Sequence, residues 1–195
     1  MRKFVLKAAL VPVIVLLAAC GNNSQRYLLP EISVEQRLGT AARAVEVGKL
    51  DLPTYAQDSE INLQDADGVL RPARNGFWAD DPDRAMTELL AVGLDQALSA
   101  DVAAEPLPFS GLADVRVDVK VRRFVGVPGQ TMQLTGQYFL TSPNGGSLQT
   151  IKRFNFSVPI ASDSINDYAL AQSQAIKLLV GDIASSISRV SRSQI

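Results

Sequence analysis

The 195-residue sequence contains no histidine and a single cysteine, Cys20. These two residue types supply the base of Ser–His triads, the nucleophile–base pair of cysteine proteases and most zinc ligands. Without histidine, and with one thiol at most, the chain cannot build any of these sites. It also has no Gly-x-Ser-x-Gly, P-loop or dinucleotide-binding fingerprint. These absences indicate a function that depends on binding rather than on catalysis.

Acidic residues are the remaining candidates for catalysis or for a metal site. Asp58, Glu60, Asp65 and Asp67 lie close together, but they lack the ligand spacing and the closing glutamate of a calcium loop. The other acidic residues fall on expected turns, helix starts and the charged face of a strand. We therefore expect a solvated acidic surface, with no catalytic residue, no metal site and no cofactor.

The first 19 residues have the organisation of a secretory signal. Arg2, Lys3 and Lys7 precede an apolar run over residues 8–19 that ends in small residues. The run is about a dozen residues long, whereas a membrane-spanning helix needs roughly 20. We therefore expect it to direct export and not to anchor the protein.

The tetrapeptide Leu17-Ala18-Ala19-Cys20, followed by Gly21, resembles the cleavage box of bacterial lipoproteins. That resemblance implies a diacylglyceryl group on the Cys20 sulfur, cleavage before Cys20, and acylation of the new amino terminus, for example with palmitate. The alternative is an ordinary signal peptide with an incidental cysteine. Lipidation would leave no thiol for disulfides, so packing would have to stabilise the fold.

Three segments follow from this interpretation: a signal peptide over residues 1–19, a lipidated tether over 20–26 and a single domain over 27–195. The signal carries three of the 19 basic residues and none of the 20 acidic ones, so residues 20–195 have 16 basic and 20 acidic side chains and a net charge of −4. Such a balance does not favour nucleic acid as a partner. We expect membrane lipid, held through Cys20, to be one partner.

Hydrophobic periodicity predicts an α+β fold. Alternating valines over residues 114–121, and apolar alternation over 131–141 and 148–160, predict an antiparallel meander with charged residues on its outer face. A helix should start at Asp81-Pro82 and end near Ser99, with Asp81 as its N-cap. A second helix should run from Ile165 to about Val190. We expect a mixed, largely antiparallel sheet with these two long amphipathic helices packed on it.

The other segments have weaker patterns. Alternation predicts strands over residues 44–50, 60–64 and 69–71, the last ended by Pro72. Residues 100–111 are predicted to be a connection. Ser164 and Asp167 should form a capping box at the second helix. The polar tail, residues 191–195, should be frayed.

Apolar residues on two expected loops form a candidate interaction surface. One loop, residues 100–111, carries Phe109, and the turn at 124–129 carries Phe124, Val125 and Val127. Trp78, just before the first long helix, is a further candidate. Phe109 and Phe124 could equally fold back into the core, and for Trp78 we favour a core position.

The order of motifs resembles the PqiC family of ABC-type transport auxiliary lipoproteins. The matching segments are Tyr27-Leu28-Leu29, Leu52-Pro53-x-Tyr55, Trp78-Ala79-Asp80, the valine strand with Arg123-Phe124, Asn144-Gly145-Gly146, and Gly181-Asp182-Ile183-Ala184. The sequence departs from the family at residues 56–58, where a leucine and a charged pair are common. It also has Phe77 where an arginine often precedes the tryptophan.

The resemblance implies a non-catalytic outer-membrane subunit of an MCE-type lipid-transport system, on the periplasmic face of the membrane in Gram-negative bacteria. The expected protein partner is an MCE-domain protein, and a homo-oligomer is an open alternative. The implied fold is similar to the amino-terminal domain of TolB. Gly21 is compatible with the outer membrane, since the usual inner-membrane retention signal is aspartate. Two other functions stay open: a periplasmic lipoprotein that binds a lipid or apolar ligand, and a purely structural envelope lipoprotein.

Overall fold

The strands of this computed structural model form two sheets, and its two long helices pack on them. The structure describes residues 24–108 and 111–195. The elements in chain order are β1 Gln25–Tyr27, β2 Ala44–Val47, α1 Thr54–Gln57, β3 Glu60–Gln64, β4 Leu70–Trp78, α2 Pro82–Ala97, β5 Asp101–Ala104, β6 Val115–Gly126, β7 Thr131–Thr141, β8 Gln149–Pro159, α3 Ile165–Ile187 and a 3-10 helix Arg192–Gln194.

Both sheets are mixed, so the α+β prediction is confirmed but the single sheet becomes two. The small sheet has the order β1-β4-β3, with β1 parallel and β3 antiparallel to β4. The large sheet has the order β5-β2-β6-β7-β8. In it β2 runs parallel to both β5 and β6, and β6, β7 and β8 form the predicted antiparallel meander.

Strand β6 is longer than its valine pattern predicts. The side chains of Val115, Val117, Val119 and Val121 are buried as expected. A bulge between Val121 and Arg123 then breaks the alternation, and the strand continues to Gly126. At the bulge a Cβ on Gly136 of β7 would lie 2.2 Å from the carbonyl oxygen of Lys120, so only glycine fits there. The alternation of buried valines ends at the bulge, because the extra residue there switches the side chains that follow to the opposite face of the sheet.

Two strands differ from the sequence expectation. The connection predicted over residues 100–111 contains β5, which pairs in parallel with β2. Alanine-rich segments have low strand propensity, so pairing and packing decide here. Strand β4 does not stop at Pro72 but continues to Trp78. Proline is tolerated because β1 pairs only with residues 76–78, which leaves Pro72 with a single neighbouring strand, β3.

Helix α2 starts at Pro82, as predicted, and buries Met86, Leu90 and Leu94. Asp81 occupies the N-cap position, but its side chain forms no capping hydrogen bond. The helix approaches α3 closely at Gly93, where a Cβ would lie 2.7 Å from Cγ2 of Val180. Glycine at this position therefore lets the two helices pack against each other.

The N-terminus of α3 is capped by Ser164, whose hydroxyl accepts a hydrogen bond from Asp167 N at 3.1 Å. The second half of the predicted capping box is wrong. The Asp167 carboxylate accepts from the Ser162 hydroxyl, and Ser164 N donates to that same hydroxyl at 3.1 Å. Because aspartate is one methylene shorter than glutamate, the Asp167 carboxylate bonds to the Ser162 hydroxyl, and that hydroxyl accepts the hydrogen bond from Ser164 N.

The C-terminal tail is ordered, which corrects the prediction of a frayed end. Residues after α3 form the short 3-10 helix, and Leu148 N donates to Gln194 O at 2.9 Å. The side chain of Ile195 packs against the hydrophobic core. Backbone pairing and one apolar terminal residue together hold the tail.

Two tyrosine hydroxyls join the sheets. Tyr168 of α3 is 1% exposed, and its hydroxyl donates to Asn62 O of β3 at 2.9 Å and accepts from Gly126 N of β6 at 3.3 Å. The Tyr55 hydroxyl accepts from Phe124 N at 3.0 Å. Burial raises the pKa of the Tyr168 hydroxyl above its ordinary value. Helix α3 thus ties the end of the long meander strand to the small sheet.

We predict that Tyr168→Phe destabilises the protein by about 1–3 kcal/mol, since it leaves a buried carbonyl and a buried amide without a partner. Urea unfolding followed by circular dichroism measures the change. The control is Tyr27→Phe, because the Tyr27 hydroxyl bonds only the exposed Gln25 side chain. Equal stability of the two variants would contradict the assigned role.

The stability difference should also depend on pH. The unfolded chain loses the Tyr168 proton near the ordinary pKa of 10.0, whereas the folded chain retains it. A raised folded pKa gives stability that is complete below pH 10 and falls as the pH rises further. The gap between wild type and Tyr168→Phe should therefore narrow in unfolding curves taken above pH 10. A constant gap would argue against this ionisation.

Candidate functional site

An apolar groove lies between α2 and the segment that follows β1. It has a volume of about 350 Å³. We call it the tether groove, because β1, which starts inside the predicted tether at Gln25, leads into it. Its walls and floor are formed by Tyr27, Leu28, Leu29, Glu31, Ile32, Trp78, Asp80, Pro82, Arg84, Ala85, Glu88, Leu89, Val92 and Gln96.

Backbone contacts hold the extended wall of the groove in place. Ala79 N donates to Tyr27 O at 2.8 Å, which fixes the start of the segment beside β4. Further along, Val34 N donates to the Gln96 side-chain oxygen at 2.9 Å, and Leu38 N donates to Ala97 O at 2.7 Å. The segment between these points has no regular secondary structure, yet it is secured at both ends.

The groove exposes apolar surface on both walls. Leu28 is 72% exposed on the segment, and Val92 is 50% exposed on α2. Trp78 lies beneath them and is 7% exposed. Single exposed apolar residues are ordinary on protein surfaces, but a concave site with two such walls is the usual form of a binding site.

Charges at the rim of the groove are partly neutralised. Arg84 Nε lies 3.0 Å from Asp80 Oδ1, and a second guanidinium nitrogen contacts the other carboxylate oxygen. The hydrogen bond from Arg84 holds the pKa of the Asp80 carboxyl below its usual value. This exposed pair contributes little stability, but it fixes the direction of both side chains at the rim.

Acidic residues elsewhere have structural partners. Arg116 on β6 pairs with Glu46 and Glu105 at 2.6 Å and with Asp118 at 3.0 Å. Burial lowers the pKa of Arg116, but these carboxylates outweigh it and raise the value overall. Asp65 accepts from Val69 N at 2.8 Å and so closes the turn before β4. In residues 24–108 and 111–195, no three acidic, cysteine or histidine side chains are grouped to hold a metal ion.

The residues predicted as an interaction surface do not lie together. Cys20 and Phe109 fall outside the described residues. Phe124 and Val125 belong to β6 and are each 2% exposed. Phe124 therefore takes the core position that the sequence left open, whereas the expected position of Val125 on an exposed turn is corrected. Val127 is half-buried at that turn. Trp78 is a core residue that also lines the tether groove.

Sequence reasoning missed the groove itself. Val92 is an apolar residue that lies outside the buried stripe of α2. This departure from the helical periodicity was the one sequence feature that pointed to the groove. Leu28 and Leu29 stand before Pro30 and resemble the end of a strand, whereas β1 ends at Tyr27. No local sequence pattern indicates that the segment after β1 packs along α2.

The fold is shared with solved structures. A crystal structure of an uncharacterized protein aligns with a TM-score of 0.67 at 18% identity, covering 84% of this chain and 98% of that one. A crystal structure of a protein from Xanthomonas campestris, described under the family name DUF330, aligns with a TM-score of 0.60 at 15% identity, covering 84% and 92%. The class is therefore an α+β fold of two mixed sheets with two main helices.

The family follows from the sequence. Residues 27–184 match the family of ABC-type transport auxiliary lipoprotein components, and the chain belongs to that family. Comparison with curated proteins finds no match. Among the described residues, no helix combines the length and hydropathy needed to cross a bilayer.

We predict that Leu28→Asn with Val92→Asn weakens the binding of an apolar dye such as anilinonaphthalene sulfonate to the groove. Losing two partly buried contacts of about 1–2 kcal/mol in total weakens binding roughly fivefold to thirtyfold. Because both residues are exposed, stability should change by less than about 0.5 kcal/mol. Fluorescence titration measures the affinity.

The matched control is Leu170→Asn with Leu178→Asn, which removes two leucines that are 44% and 45% exposed on α3. This pair lies outside the groove and should leave dye affinity unchanged. A similar loss in both double variants would show that the dye reports general surface hydrophobicity.

Proposed function

We propose that this protein is a non-catalytic outer-membrane lipoprotein subunit of an MCE-type ABC lipid-transport system, where it docks or receives the periplasmic MCE assembly. The observation that carries the proposal is the family match over residues 27–184, which begins seven residues after the lipoprotein-type Cys20. The PqiC-like order of motifs supports the MCE system in particular. The TolB-like character of the fold stays a prediction.

The anchor gives the domain its place. Residues 21–24 separate Cys20 from β1, which starts at Gln25, and a flexible linker of that length would reach roughly 10–12 Å. Two or three acyl chains hold a protein stably on a bilayer, whereas one is marginal. Lipidated Cys20 would therefore keep the domain close to one leaflet, and Gly21 is compatible with the outer membrane.

The chemistry of the chain supports a binding role. It has no histidine. The carboxylates of Glu46, Glu105, Asp118 and Asp80 are engaged by arginines. Such ion pairs fix surface shape, and they leave these four carboxylates unsuited to act as a general acid or base. Shape and placement are what the subunit would contribute to transport.

Affinity purification of the lipidated protein from cell envelopes tests the assignment. We expect an MCE-domain protein to co-purify. An envelope pull-down that contains no MCE-domain protein, repeated after chemical cross-linking, would overturn the proposal.

We predict that Cys20→Ser abolishes labelling with palmitate and moves the protein from the outer-membrane fraction to the signal-bearing precursor pool. Serine cannot form the thioether, and cleavage at a lipoprotein box follows lipidation. Metabolic labelling and density-gradient fractionation provide the measurement. Retention of label in Cys20→Ser would show that the lipid is attached elsewhere.

The tether groove favours a second candidate function, binding of a lipid chain. Its volume of about 350 Å³ falls in the range of small-ligand sites, and its lining is predominantly apolar. Native mass spectrometry of the purified protein should reveal bound lipid that is lost in Leu28→Asn with Val92→Asn. Lipid retained by that variant, or absent from wild type, would remove this candidate.

Trp78 offers a direct reading of the same groove, because it is the only tryptophan in the sequence and lines the site. A fatty acid brominated along its chain should quench Trp78 fluorescence in wild type and in the α3 control pair. Unquenched emission at saturating fatty acid would place the lipid outside the groove.

A further inference from the structure

The outer face of the meander contains a second concavity, which we call the basic depression. It has a volume of about 440 Å³ and lies across β6, β7 and β8, beside the bulge in β6. Three cations line it, Lys120, Arg122 and Arg153, together with the amides of Gln137 and Asn155. No carboxylate is among its lining residues.

Strand register brings the three cations together. Lys120 lies opposite Gln137, and Gln137 lies opposite Arg153. Neighbouring strands are about 4.8 Å apart, so the Cα atoms of Lys120 and Arg153 lie roughly 10 Å apart. Arg122 is two residues further along β6, about 7 Å from Lys120. Long side chains at these separations can converge on one small anion.

Arg122 supplies the third cation, because strand alternation places it on the same face of β6 as Lys120. Arg122 falls in the register shift between Val121 and Arg123 and has no partner in β7. Gly136 admits this bulge, since a Cβ there would meet the Lys120 carbonyl.

These cations are not neutralised by the protein. Across residues 24–108 and 111–195, none of Lys120, Arg122 and Arg153 forms an ion pair with a carboxylate. Arg116, four residues before Lys120, pairs with three. Residues 20–195 carry a net charge of −4. The three unpaired cations therefore make this part of the surface positive on a chain that is negative overall.

An apolar row borders the depression. Phe139 lies opposite Ile151 in the register, and Ile151 precedes Arg153 by two residues on the same face. Ile151 is 68% exposed. Exposed apolar side chains beside unpaired cations are typical of surfaces that contact the interface of a bilayer carrying anionic lipid.

We propose that the basic depression binds the phosphate head group of an anionic phospholipid in the membrane surface, with Ile151 against the glycerol and upper acyl region. An acidic protein segment would satisfy the cations but gives no reason for the adjoining apolar row. The closeness of a bilayer rests on the lipid anchor proposed above. The head-group contacts themselves rest on the register and charge of β6, β7 and β8.

The test uses the lipidated protein reconstituted in vesicles of phosphatidylcholine, with or without phosphatidylglycerol. Lipidation consumes Cys20, so Ser157→Cys provides a unique thiol on the outer face of β8, next to the depression. A polarity-sensitive fluorophore there should shift to the blue when phosphatidylglycerol is present. The same fluorophore at Gly181→Cys, exposed on α3, should not respond.

The decisive variant is Lys120→Gln with Arg122→Gln and Arg153→Gln. At about 1 kcal/mol for each cation near an anionic surface, it should weaken the response to phosphatidylglycerol roughly a hundredfold. The charge-matched control, Arg37→Gln with Lys177→Gln and Arg192→Gln, removes three exposed cations elsewhere and should respond as wild type does. Trp78 emission checks that each variant is folded.

Two results would overturn the proposal. An equal loss in both triple variants would indicate attraction by overall charge and not a site. A shift produced by inorganic phosphate or by an acidic peptide in pure phosphatidylcholine vesicles, but not by phosphatidylglycerol, would assign the depression to another anion. Neither result would affect recovery of an MCE-domain protein from envelopes, so the two proposals can fail separately.

Discussion

The buried hydroxyl of Tyr168 is the contact on which the arrangement of the two sheets depends. It binds a carbonyl of β3 and an amide of β6, so one side chain of α3 holds elements from both sheets. Burying a hydroxyl is favourable only when it is fully hydrogen-bonded, and this one both donates and accepts. Because α2 packs on α3 at Gly93, the same constraint positions α2. The tether groove has its floor on the small sheet and one wall on α2, and its shape follows from this contact.

A chain organised in this way presents two concave surfaces. The family assignment to ABC-type transport auxiliary lipoprotein components fits a body that is held near a membrane and presents defined concavities. The tether groove is apolar with a partly neutralised rim, and the basic depression is cationic. The two lie on different elements and select different chemistry. A subunit with both could contact a lipid chain at one site and a head group at the other.

Sequence patterns predicted the parts of the fold that depend on interactions between residues close together in the chain. The valine alternation of β6, the turn at Gly129 and the Ser164 cap are each decided by neighbours in sequence, and all three were predictable. Strand β5 is alanine-rich and forms because it pairs with β2 and packs against α2. No local sequence pattern reveals these contacts. The extension of β4 beyond Pro72 depends on which residues β1 reaches. The basic depression was also hidden, since it requires the register of three strands. The sequence left two positions open for Phe124, because the alternation does not reveal the bulge that decides which face it occupies.

Native-state hydrogen exchange, read at single amides, tests most directly whether the two sheets form one cooperative body. The amides of Trp78 in the small sheet and of Gly126 at the end of β6 both donate inside the structure, to Ser59 O and to the Tyr168 hydroxyl. The account predicts that they exchange with the same free energy of opening, equal to that of global unfolding, and with the same denaturant dependence. Exchange of the Trp78 amide through a lower-energy opening that leaves Gly126 protected would contradict it, because the groove floor would then move independently of the large sheet.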